Sequence, residues 1–477
     1  MTYKEGGAVD EARYQIVQHT RGCVVELARG PGKWFPHFIA MRERSDKTML
    51  PNVSADYWCD TFAAGLKDYQ DGSLDAVVVR DGVSGDQSDS VMAEARRALK
   101  QGGRLIIAND GLVMMVREGD EFVSWPVYIP PVGKSACVVR YGAIGDTIQA
   151  TSVLAELKDQ GYHVTWMSEP GGELLLRHDP RIDAFMVQDK DQVPNHELPA
   201  YWAVQAKRFD KWINLCESVE GTLITLPGRA SHRFPHALRH QLCDHNYLEI
   251  TAKIAELPLR PEHRFYASDE ETARAKKFID EIGEQVNKGF VIGQRWIRPF
   301  VILWALAGSS VHKTWPHMDT IVARIMLEMP NAHVIFTGDP ACQILETGWE
   351  NEPRVHCTSG KLEIRDALAL AQQCDLVIGP ETGMLNAVAF ESMPKICFLS
   401  HSSVENLTKH WVNTASLFTD ETPCYPCHQL HYTFEHCMEH VQTGTAMCQF
   451  SIPPDTVWDA VLAAYRGRET VNRIMAA

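Results

Sequence analysis

The segment Ala136–Thr151, which reads ACVVRYGAIGDTIQAT, decides the fold class. A short apolar strand runs into a turn that two glycines permit, and a helix pattern begins directly after the turn. Asp146 lies in the first turn of this helix, where an acid favours the helix dipole. The carboxyl ends of parallel strands are also the usual ligand-binding edge of an α/β sheet. This segment alone therefore does not decide whether Asp146 stabilises the helix or faces a ligand.

The same order of strand and helix repeats along most of the chain. Further apolar runs of strand length are Leu74–Val79, His333–Phe336 and Leu376–Gly379, each with a longer helix-patterned segment after it. Strands that alternate with helices in this way form parallel sheets with helices on both faces. We therefore predict an α/β protein made of three Rossmann-like parallel-sheet domains. The absence of a short fixed period in the sequence excludes solenoids and propellers.

Composition describes an acidic globular protein. The chain has 477 residues, a length that allows about three domains, and a net charge of −15. Contact with a polyanion would therefore need a local basic patch. The charged start of the chain predicts no secretory signal. The apolar run Phe300–Gly308 is too short to span a bilayer and is expected to form a buried strand. Thirteen scattered cysteines suit a reducing compartment. We expect a cytoplasmic protein without a transmembrane segment.

Two breaks divide the chain. The first is the Pro/Gly-rich stretch Val127–Lys134, and the second lies near Gln285–Gly289, after a charged helix pattern that starts at Ser268. Such stretches are typical of domain boundaries. The predicted domains are residues 1–130, 133–287 and 288–477, the last with a cysteine-rich segment at 424–448.

The first block has a strand followed by a glycine-rich turn, Cys23–Gly32, and later the pattern Asp71–Ile107. This outline resembles class I S-adenosylmethionine-dependent methyltransferases. However, Ala28 replaces the first glycine of that family's turn, and Arg42 stands where the family has an acid for the ribose hydroxyls. A guanidinium has donors only and cannot accept those protons. We expect a scaffold or docking domain without cofactor; the alternative is an active methyltransferase in a bifunctional enzyme.

Three later stretches complete a set with the segment at 136–151. They are Ala307–Pro316 (AGSSVHKTWP), Thr358–Leu370 (TSGKLEIRDALAL) and Asp375–Asn386 (DLVIGPETGMLN). In this order the four motifs resemble glycosyltransferase family 9, which includes the lipopolysaccharide heptosyltransferases. The resemblance runs from about Cys137 to Val461. It implies a GT-B fold, in which residues 133–287 form the acceptor domain and residues 288–477 bind the nucleotide sugar.

The resemblance also implies an inverting, metal-independent glycosyltransferase with an ADP-heptose-like donor and no catalytic cofactor. Asp146 is then the general base that takes the proton of the acceptor hydroxyl. The donor pyrophosphate needs fixed positive potential, which a lysine charge and helix-start amides provide. Glu381 and Asn386 replace the Asp and His that the family usually has, so the identity of the sugar stays open. The predicted donor-binding residues are Gly145, Ser309, Ser310, Lys313, Glu381, Thr382, Gly383 and Asn386.

The densest basic stretch of the middle block runs from Arg229 to His240. It is either a solvated loop or an acceptor rim formed by Arg229, Arg233 and Arg239. The expected acceptor is a saccharide or a lipid-linked sugar. One alternative is a hydroxylated base in DNA, with the first block as docking module, and another is a sugar-nucleotide binder without catalysis. The sequence leaves the oligomeric state open, including a homo-oligomer.

Four cysteines gather near the end of the chain: Cys424, Cys427, Cys437 and Cys448. Four thiolates with a leading C-x-x-C can form a closed, structural tetrahedral zinc site. A local disulfide or ordinary thiols are equally open alternatives. The histidines that offer alternative ligands are His428, His431, His436 and His440.

Overall fold

The computed structural model describes residues 13–29, 33–43, 55–80, 88–108, 112–125, 130, 133–220, 222–287 and 297–475. By their contacts these residues form two compact units. The first comprises Met1–Val138, Gly161–Glu173 and Ile182–Ile213; the second comprises Val139–Gln160, Leu174–Arg181 and Asn214–Ala477. The predicted boundary segments at 127–134 and 285–289 lie partly outside the described residues, and the division into three domains stays a prediction.

The first unit contains a seven-stranded sheet with the order β3-β2-β1-β4-β5-β6-β7. The strands from β3 to β5 pair in parallel, in the order of a doubly wound sheet, whereas β6 and β7 pair antiparallel. Its central strands are buried because they are continuous apolar runs. The strands are β1 (Val24–Leu27), β2 (Ile39–Glu43), β3 (Tyr57–Cys59), β4 (Leu74–Arg80), β5 (Leu99–Ala108), β6 (Leu112–Glu118) and β7 (Glu121–Ser124).

A four-stranded sheet follows, with the order β10-β9-β8-β11. Side chains of this region hydrogen-bond to the segment before β1: Asp189 accepts from Arg21 Nε at 2.8 Å, and Gln205 donates to the Tyr14 carbonyl at 2.9 Å. These contacts explain why both sheets belong to the first unit. The strands are β8 (Ser135–Val139), β9 (His163–Ser168), β10 (Ala184–Val187) and β11 (Lys211–Asn214).

The second unit is built on a six-stranded parallel sheet with the order β14-β13-β12-β15-β16-β17. Trp304 and Phe398 from this sheet stack with Trp315 in an apolar core of the unit. A small antiparallel pair, β18 with β19, lies in the cysteine-rich segment. The strands are β12 (Phe300–Ala305), β13 (Ala332–Thr337), β14 (Val355–Cys357), β15 (Leu376–Pro380), β16 (Lys395–Phe398), β17 (Thr414–Leu417), β18 (Glu439–His440) and β19 (Thr445–Ala446).

The α-helices connect the parallel strands. None of the described helices combines the length and the apolar character that a membrane span requires. In chain order they are α1 (Phe62–Leu66), α2 (Ser88–Ala98), α3 (Ile144–Ala150), α4 (Leu154–Asp159), α5 (Pro170–Leu176), α6 (Leu198–Ala206), α7 (His236–Cys243), α8 (Tyr247–Ala255), α9 (Asp269–Val286), α10 (Met318–Glu328), α11 (Ile364–Ala371), α12 (Gly383–Ala387), α13 (Met447–Phe450) and α14 (Pro454–Met475).

The predicted α/β class with several parallel Rossmann-like sheets is confirmed. The helix that was expected after Ser268 begins there, because Ser268 and Glu271 form a capping box: Ser268 Oγ accepts from the Glu271 amide at 3.1 Å, and Glu271 Oε2 accepts from the Ser268 amide at 2.8 Å. The apolar run that begins at Phe300 is a buried strand, as predicted.

Candidate active site

Asp146 lies in the first turn of α3, directly after β8 and the glycine turn. Its Oδ1 accepts a hydrogen bond from the Tyr247 hydroxyl at 2.8 Å, and its Oδ2 lies 3.0 Å from Arg140 Nη2. The side chain keeps 24% of its surface exposed, whereas Arg140 is almost fully buried. Each carboxylate oxygen has a second lone-pair direction. Asp146 is therefore held in one orientation and can still accept a proton.

The surroundings of Asp146 raise its pKa. Burial is the largest cause, and Arg140 and the Tyr247 hydroxyl act in the opposite direction. Arg140 also binds Glu220 through both terminal nitrogens at 3.1 Å. Burial would lower the pKa of Arg140, but Tyr247 and the two carboxylates outweigh it. Burial and Asp146 hold the pKa of Tyr247 well above its usual range, so Tyr247 remains a hydrogen-bond donor.

Two predicted glycines bring the first motif against the last. A β-carbon on Gly145 would stand 3.0 Å from Asn386 Nδ2 and 3.7 Å from Gly383 Cα. A β-carbon on Gly383 would stand only 2.6 Å from Ile144 Cγ2. Gly383 must therefore be glycine for α3 and α12 to approach this closely, and a β-carbon on Gly145 would fit only tightly against the Asn386 side chain. Their predicted contact with a donor stays a prediction, whereas their packing role follows from these distances.

Lys313 lies beside the same motif. Its ammonium donates to the Glu381 carbonyl at 3.1 Å, and its chain lies flat over Gly308, where a β-carbon would meet Lys313 Cδ at 2.5 Å. Ser309 is exposed, and Ser310 is half-buried with its hydroxyl 3.2 Å from His312 Nδ1. The predicted phosphate-binding lysine is thus half-buried and close to the Glu381–Asn386 segment.

Glu381 is turned into the protein and has only 5% of its surface exposed. Its Oε1 accepts from the amides of Ser400 and His401 at 2.7 and 2.9 Å, and from the Ser400 hydroxyl. Burial would raise its pKa, but His401, Lys313 and the serine hydrogen bonds outweigh burial and lower it. Glu381 therefore anchors the loop after β16. A direct donor contact of Glu381 stays a prediction.

Three buried oxygens of this motif have no hydrogen-bond partner among the described residues: Glu381 Oε2, Thr382 Oγ1 and Asn386 Oδ1. Asn386 Nδ2 donates to the Thr382 carbonyl at 2.8 Å, so Asn386 Oδ1 points away from that carbonyl. Buried polar atoms are nearly always paired in folded proteins. These three oxygens therefore mark a place where a bound water or ligand can supply the missing hydrogen-bond partners.

The four predicted cysteine ligands line one pocket, together with Ser310, Lys313 and His431: they are Cys424, Cys427, Cys437 and Cys448. Cys427 Sγ lies 3.7 Å from His431 Nε2. Burial raises the pKa of Cys427 and that of Cys437 to about 12. The cysteine-rich segment therefore contributes to the pocket that contains the predicted phosphate lysine. Of the other predicted alternative ligands, His428 is fully buried and contacts His240, while His436 and His440 are partly exposed.

The three arginines of the predicted acceptor rim lie in different environments. Arg233 is exposed, and Arg229 forms a two-pronged ion pair with Glu217. Arg239 is buried and donates from Nε to the Cys427 carbonyl at 2.9 Å. The three arginines do not share one exposed surface, and their contact with an acceptor stays a prediction.

In the first unit, Arg42 is fully buried beside Glu26. Arg42 Nη1 donates to the Glu26 and Met41 carbonyls at 3.2 and 2.9 Å, and Glu26 also pairs with Arg80 at 2.9 Å. Most of the predicted glycine turn, residues 30–32, lies outside the described residues. The methyltransferase-like origin of this block and its lack of cofactor stay predictions.

Two contacts of the candidate site were not predicted from the sequence. Tyr247 is 101 positions away from Asp146 in the sequence. It lies on the buried, largely apolar face of α8, where a sequence pattern predicts a core residue. His401 follows β16 without any motif, yet its imidazole lies 3.1 Å from Glu381 Oε1. The only sequence signal for Tyr247 is the preceding Asn246, whose side chain caps α8.

The chain is similar to known glycosyltransferases. No protein-family profile matches the chain. The lipopolysaccharide core heptosyltransferase OpsX of Haemophilus influenzae is 21% identical over 285 residues, which cover 55% of this chain and 78% of that protein. The predicted resemblance to lipopolysaccharide heptosyltransferases is confirmed by this similarity.

Two solved structures are similar at low identity. The ADP-heptose lipopolysaccharide heptosyltransferase II of E. coli has a TM-score of 0.46 and 14% identity, over 70% of this chain and 99% of that one. The iron-containing dodecameric glycosyltransferase TibC of enterotoxigenic E. coli has a TM-score of 0.43 and 12% identity, over 75% of this chain and 83% of that one.

Proposed function

We propose that this protein is an inverting glycosyltransferase that transfers a sugar from an ADP-heptose-like donor to an acceptor hydroxyl, without a catalytic metal. The observation that carries the proposal is the close approach of Gly145 to Gly383 and Asn386. It brings the helix turn that carries Asp146 against the segment whose buried oxygens lack partners, and the charge of Lys313 acts on the Asp146 carboxylate. A direct transfer needs a base and a polar ligand-binding segment close to each other.

Asp146 acts as the general base. It removes the proton of the acceptor hydroxyl while that oxygen attacks the anomeric carbon, and the bond to the nucleoside diphosphate breaks on the opposite face. Burial raises the pKa of Asp146 and so strengthens it as a base. Arg140 and Tyr247 fix the carboxylate before the substrate arrives. They are positioning residues, because they act through Asp146.

Lys313 neutralises the charge that develops on the leaving diphosphate. The hydroxyls of Ser309, Ser310 and Thr382 and the amide of Gly383 add hydrogen bonds in the same region. Asn386 Oδ1 accepts a hydrogen bond from a sugar hydroxyl, which would satisfy this unpaired oxygen. The inward-facing Glu381 carboxylate supports the segment from behind. The donor thus meets one cation, several hydrogen-bond donors and one acceptor.

Four sulfur ligands suit a soft metal ion such as zinc or iron, although no three of the four sulfurs lie within 4.8 Å of one another in this structure. Cys424, Cys427, Cys437 and Cys448 would hold it at the wall of the pocket that includes Lys313. A closed site of four thiolates has no position for substrate. Such an ion would fix the 424–448 segment, and the transfer uses only the side chains named above.

The test separates chemistry from donor binding. Asp146→Asn is expected to lower the turnover of ADP-heptose at least a hundredfold while the affinity for ADP, measured by calorimetry, stays near wild type. Lys313→Ala is expected to weaken ADP binding about tenfold, because it removes a charged hydrogen bond. Asp159→Asn, at an exposed ion pair with Arg260, is the matched control. Wild-type turnover by Asp146→Asn would refute the mechanism.

A further inference from the structure

Three side chains outside the proposed active site bring metal-binding atoms together: His240 in the last turn of α7, Asp244 at the C-cap of that helix, and His428 in the cysteine-rich segment. His240 Nδ1 lies 3.0 Å from His428 Nε2. The carboxylate of Asp244 lies 3.6 Å from His240 Nε2 and 3.8 Å from His428 Nε2. One ligand atom of each residue lies within 4.8 Å of those of the other two.

We propose that His240, Asp244 and His428 form a binding site for a divalent transition-metal ion, distinct from the cysteine set. Two imidazoles and one carboxylate are a donor set that suits zinc, iron(II) and related ions. Among the described residues, this is the group of at least three His, Cys, Asp or Glu side chains whose potential ligand atoms all lie within 4.8 Å of one another. The four cysteines, by contrast, share a pocket without forming such a group.

One ligand distance already suits a bound ion, and the carboxylate must approach. An ion about 2.1 Å from each ligand atom places neighbouring ligand atoms about 3 Å apart. His240 Nδ1 and His428 Nε2 already have this separation. The Asp244 carboxylate lies 3.8 Å from His428 Nε2, and its 3.6 Å contact is with the other ring nitrogen of His240, so it must move toward His240 Nδ1 to complete the set.

The ligands are held from outside the cluster, as metal ligands usually are. The Ser403 hydroxyl donates to Asp244 Oδ1. The backbone of His428 is fixed on both sides: its N–H donates to the His401 carbonyl at 2.9 Å, and its own carbonyl accepts from the Thr225 amide at 2.8 Å. His428 also has a φ of 53°, in the left-handed region that few non-glycine residues adopt.

The cluster is open on one side. The side chain of His428 is fully buried, whereas those of His240 and Asp244 are 43% and 24% exposed. An ion can therefore enter from solvent and keep water as further ligands. Cys427 is the neighbour of His428 in sequence, but its sulfur faces His431 Nε2 at 3.7 Å. The thiol set and the His–Asp–His set therefore use different sides of one short segment.

An ion at this site would tie α7 to the segment of His428. That segment is linked to His401, which contacts Glu381. Metal binding is thus expected to stabilise the loop after β16 without touching the donor. The competing outcome is a hydrogen-bonded His–Asp–His chain that binds no ion.

The full-length protein is stripped of metal with a chelator and titrated with Co²⁺, with bound metal measured by elemental analysis and optical absorption. His240→Gln and Asp244→Asn should each lose one equivalent of Co²⁺, or bind it at least tenfold more weakly. Their spectra should retain any thiolate-to-metal band of the cysteine set. His245→Ala, an exposed histidine on the same stretch, should bind as the wild type does.

A Cys424→Ser/Cys437→Ser variant separates the two sites. It should lose the thiolate band and keep the equivalent that His240→Gln removes. Melting in the presence of chelator shows whether each variant is folded, and the rise of the melting temperature with Co²⁺ should be smaller for His240→Gln and Asp244→Asn. Unchanged Co²⁺ stoichiometry and affinity in both of these folded variants would overturn the proposal.

Discussion

A β-carbon on Gly383 would stand 3.3 Å from the backbone nitrogen of Gly145, so α12 and α3 pack closely against each other where these two glycines lie. This relationship explains why both motifs contain glycine at these positions. It also joins the helix that carries Asp146 to the segment with the unpaired oxygens. The geometry of the proposed active site therefore depends on this contact.

The Gly383→Ala substitution tests the contact. The added methyl group would meet Ile144 Cγ2 at 2.6 Å, and relief of that overlap must push the two helices apart. We expect a loss of about 1–3 kcal/mol of stability and a clear loss of turnover. Thermal unfolding and ADP-heptose turnover measure the two effects. Gly171→Ala is the control, because a methyl group there meets nothing within 4 Å. Equal behaviour of the two variants would contradict the packing role.

The Tyr247→Phe substitution tests the positioning of the base. The Tyr247 hydrogen bond lowers the pKa of Asp146, so its removal raises that pKa further. Asp146 must be deprotonated to act, and the acidic limb of the pH profile of kcat/KM should therefore move to higher pH. We expect a shift of about one pH unit, the size of one hydrogen bond to a charged group.

The pH profile of ADP-heptose turnover measures this shift. At pH values well above the limb, Tyr247→Phe should approach the rate of the wild type, which a merely structural defect would not allow. Tyr162→Phe is the control, since the Tyr162 ring lies 5.9 Å from Lys134 Nζ in the first unit. A profile that keeps its wild-type position would remove Tyr247 from the mechanism.

Local patterns predicted much of the fold. The strand that begins at Phe300 and the helix that begins after Ser268 are correct because burial and capping act over a few residues. The antiparallel strands β6 and β7 were not predicted. Their direction depends on the turn at Gly119, which adopts a φ of 60°, and on pairing with the sheet edge, which a residue pattern does not encode.

The candidate site shows the same division. The sequence predicted that Asp146 lies in the first turn of a helix after a strand and a glycine turn, and that Lys313 follows a buried strand. It did not predict that Glu381 turns inward to hold Ser400, or that Arg239 is buried. These orientations result from partners far away in sequence. A side chain's type is visible in one sequence, whereas the direction it takes is decided by tertiary packing.

The Glu381→Gln substitution tests the buried anchor. The folded protein lowers the pKa of Glu381 below its ordinary 4.5, so the ionised carboxylate contributes stability above that pH and loses it as the pH falls. At neutral pH we expect Glu381→Gln to be less stable by about 1–3 kcal/mol. As the pH falls from 4.5 toward about 2 the difference should shrink, because only the wild type has this carboxylate to protonate.

Thermal unfolding at several pH values measures this dependence. Glu284→Gln, at an exposed position of α9, is the control and should follow the wild type at each pH. A deficit of Glu381→Gln that stays constant from neutral to acid pH would show that its carboxylate is not held in the ionised form.

The Thr382→Val substitution separates ligand binding from folding. Thr382 Oγ1 is buried without a hydrogen-bond partner among the residues that the structure describes, so a methyl group of similar size removes an unsatisfied polar atom. The free protein should keep or slightly raise its melting temperature. ADP binding should weaken about tenfold if the hydroxyl pairs with the diphosphate. Thr151→Val gives the opposite pattern, because Thr151 Oγ1 donates to the Ile148 carbonyl at 2.7 Å: it should lower the melting temperature and leave ADP binding intact. Wild-type ADP affinity in Thr382→Val would place the diphosphate elsewhere.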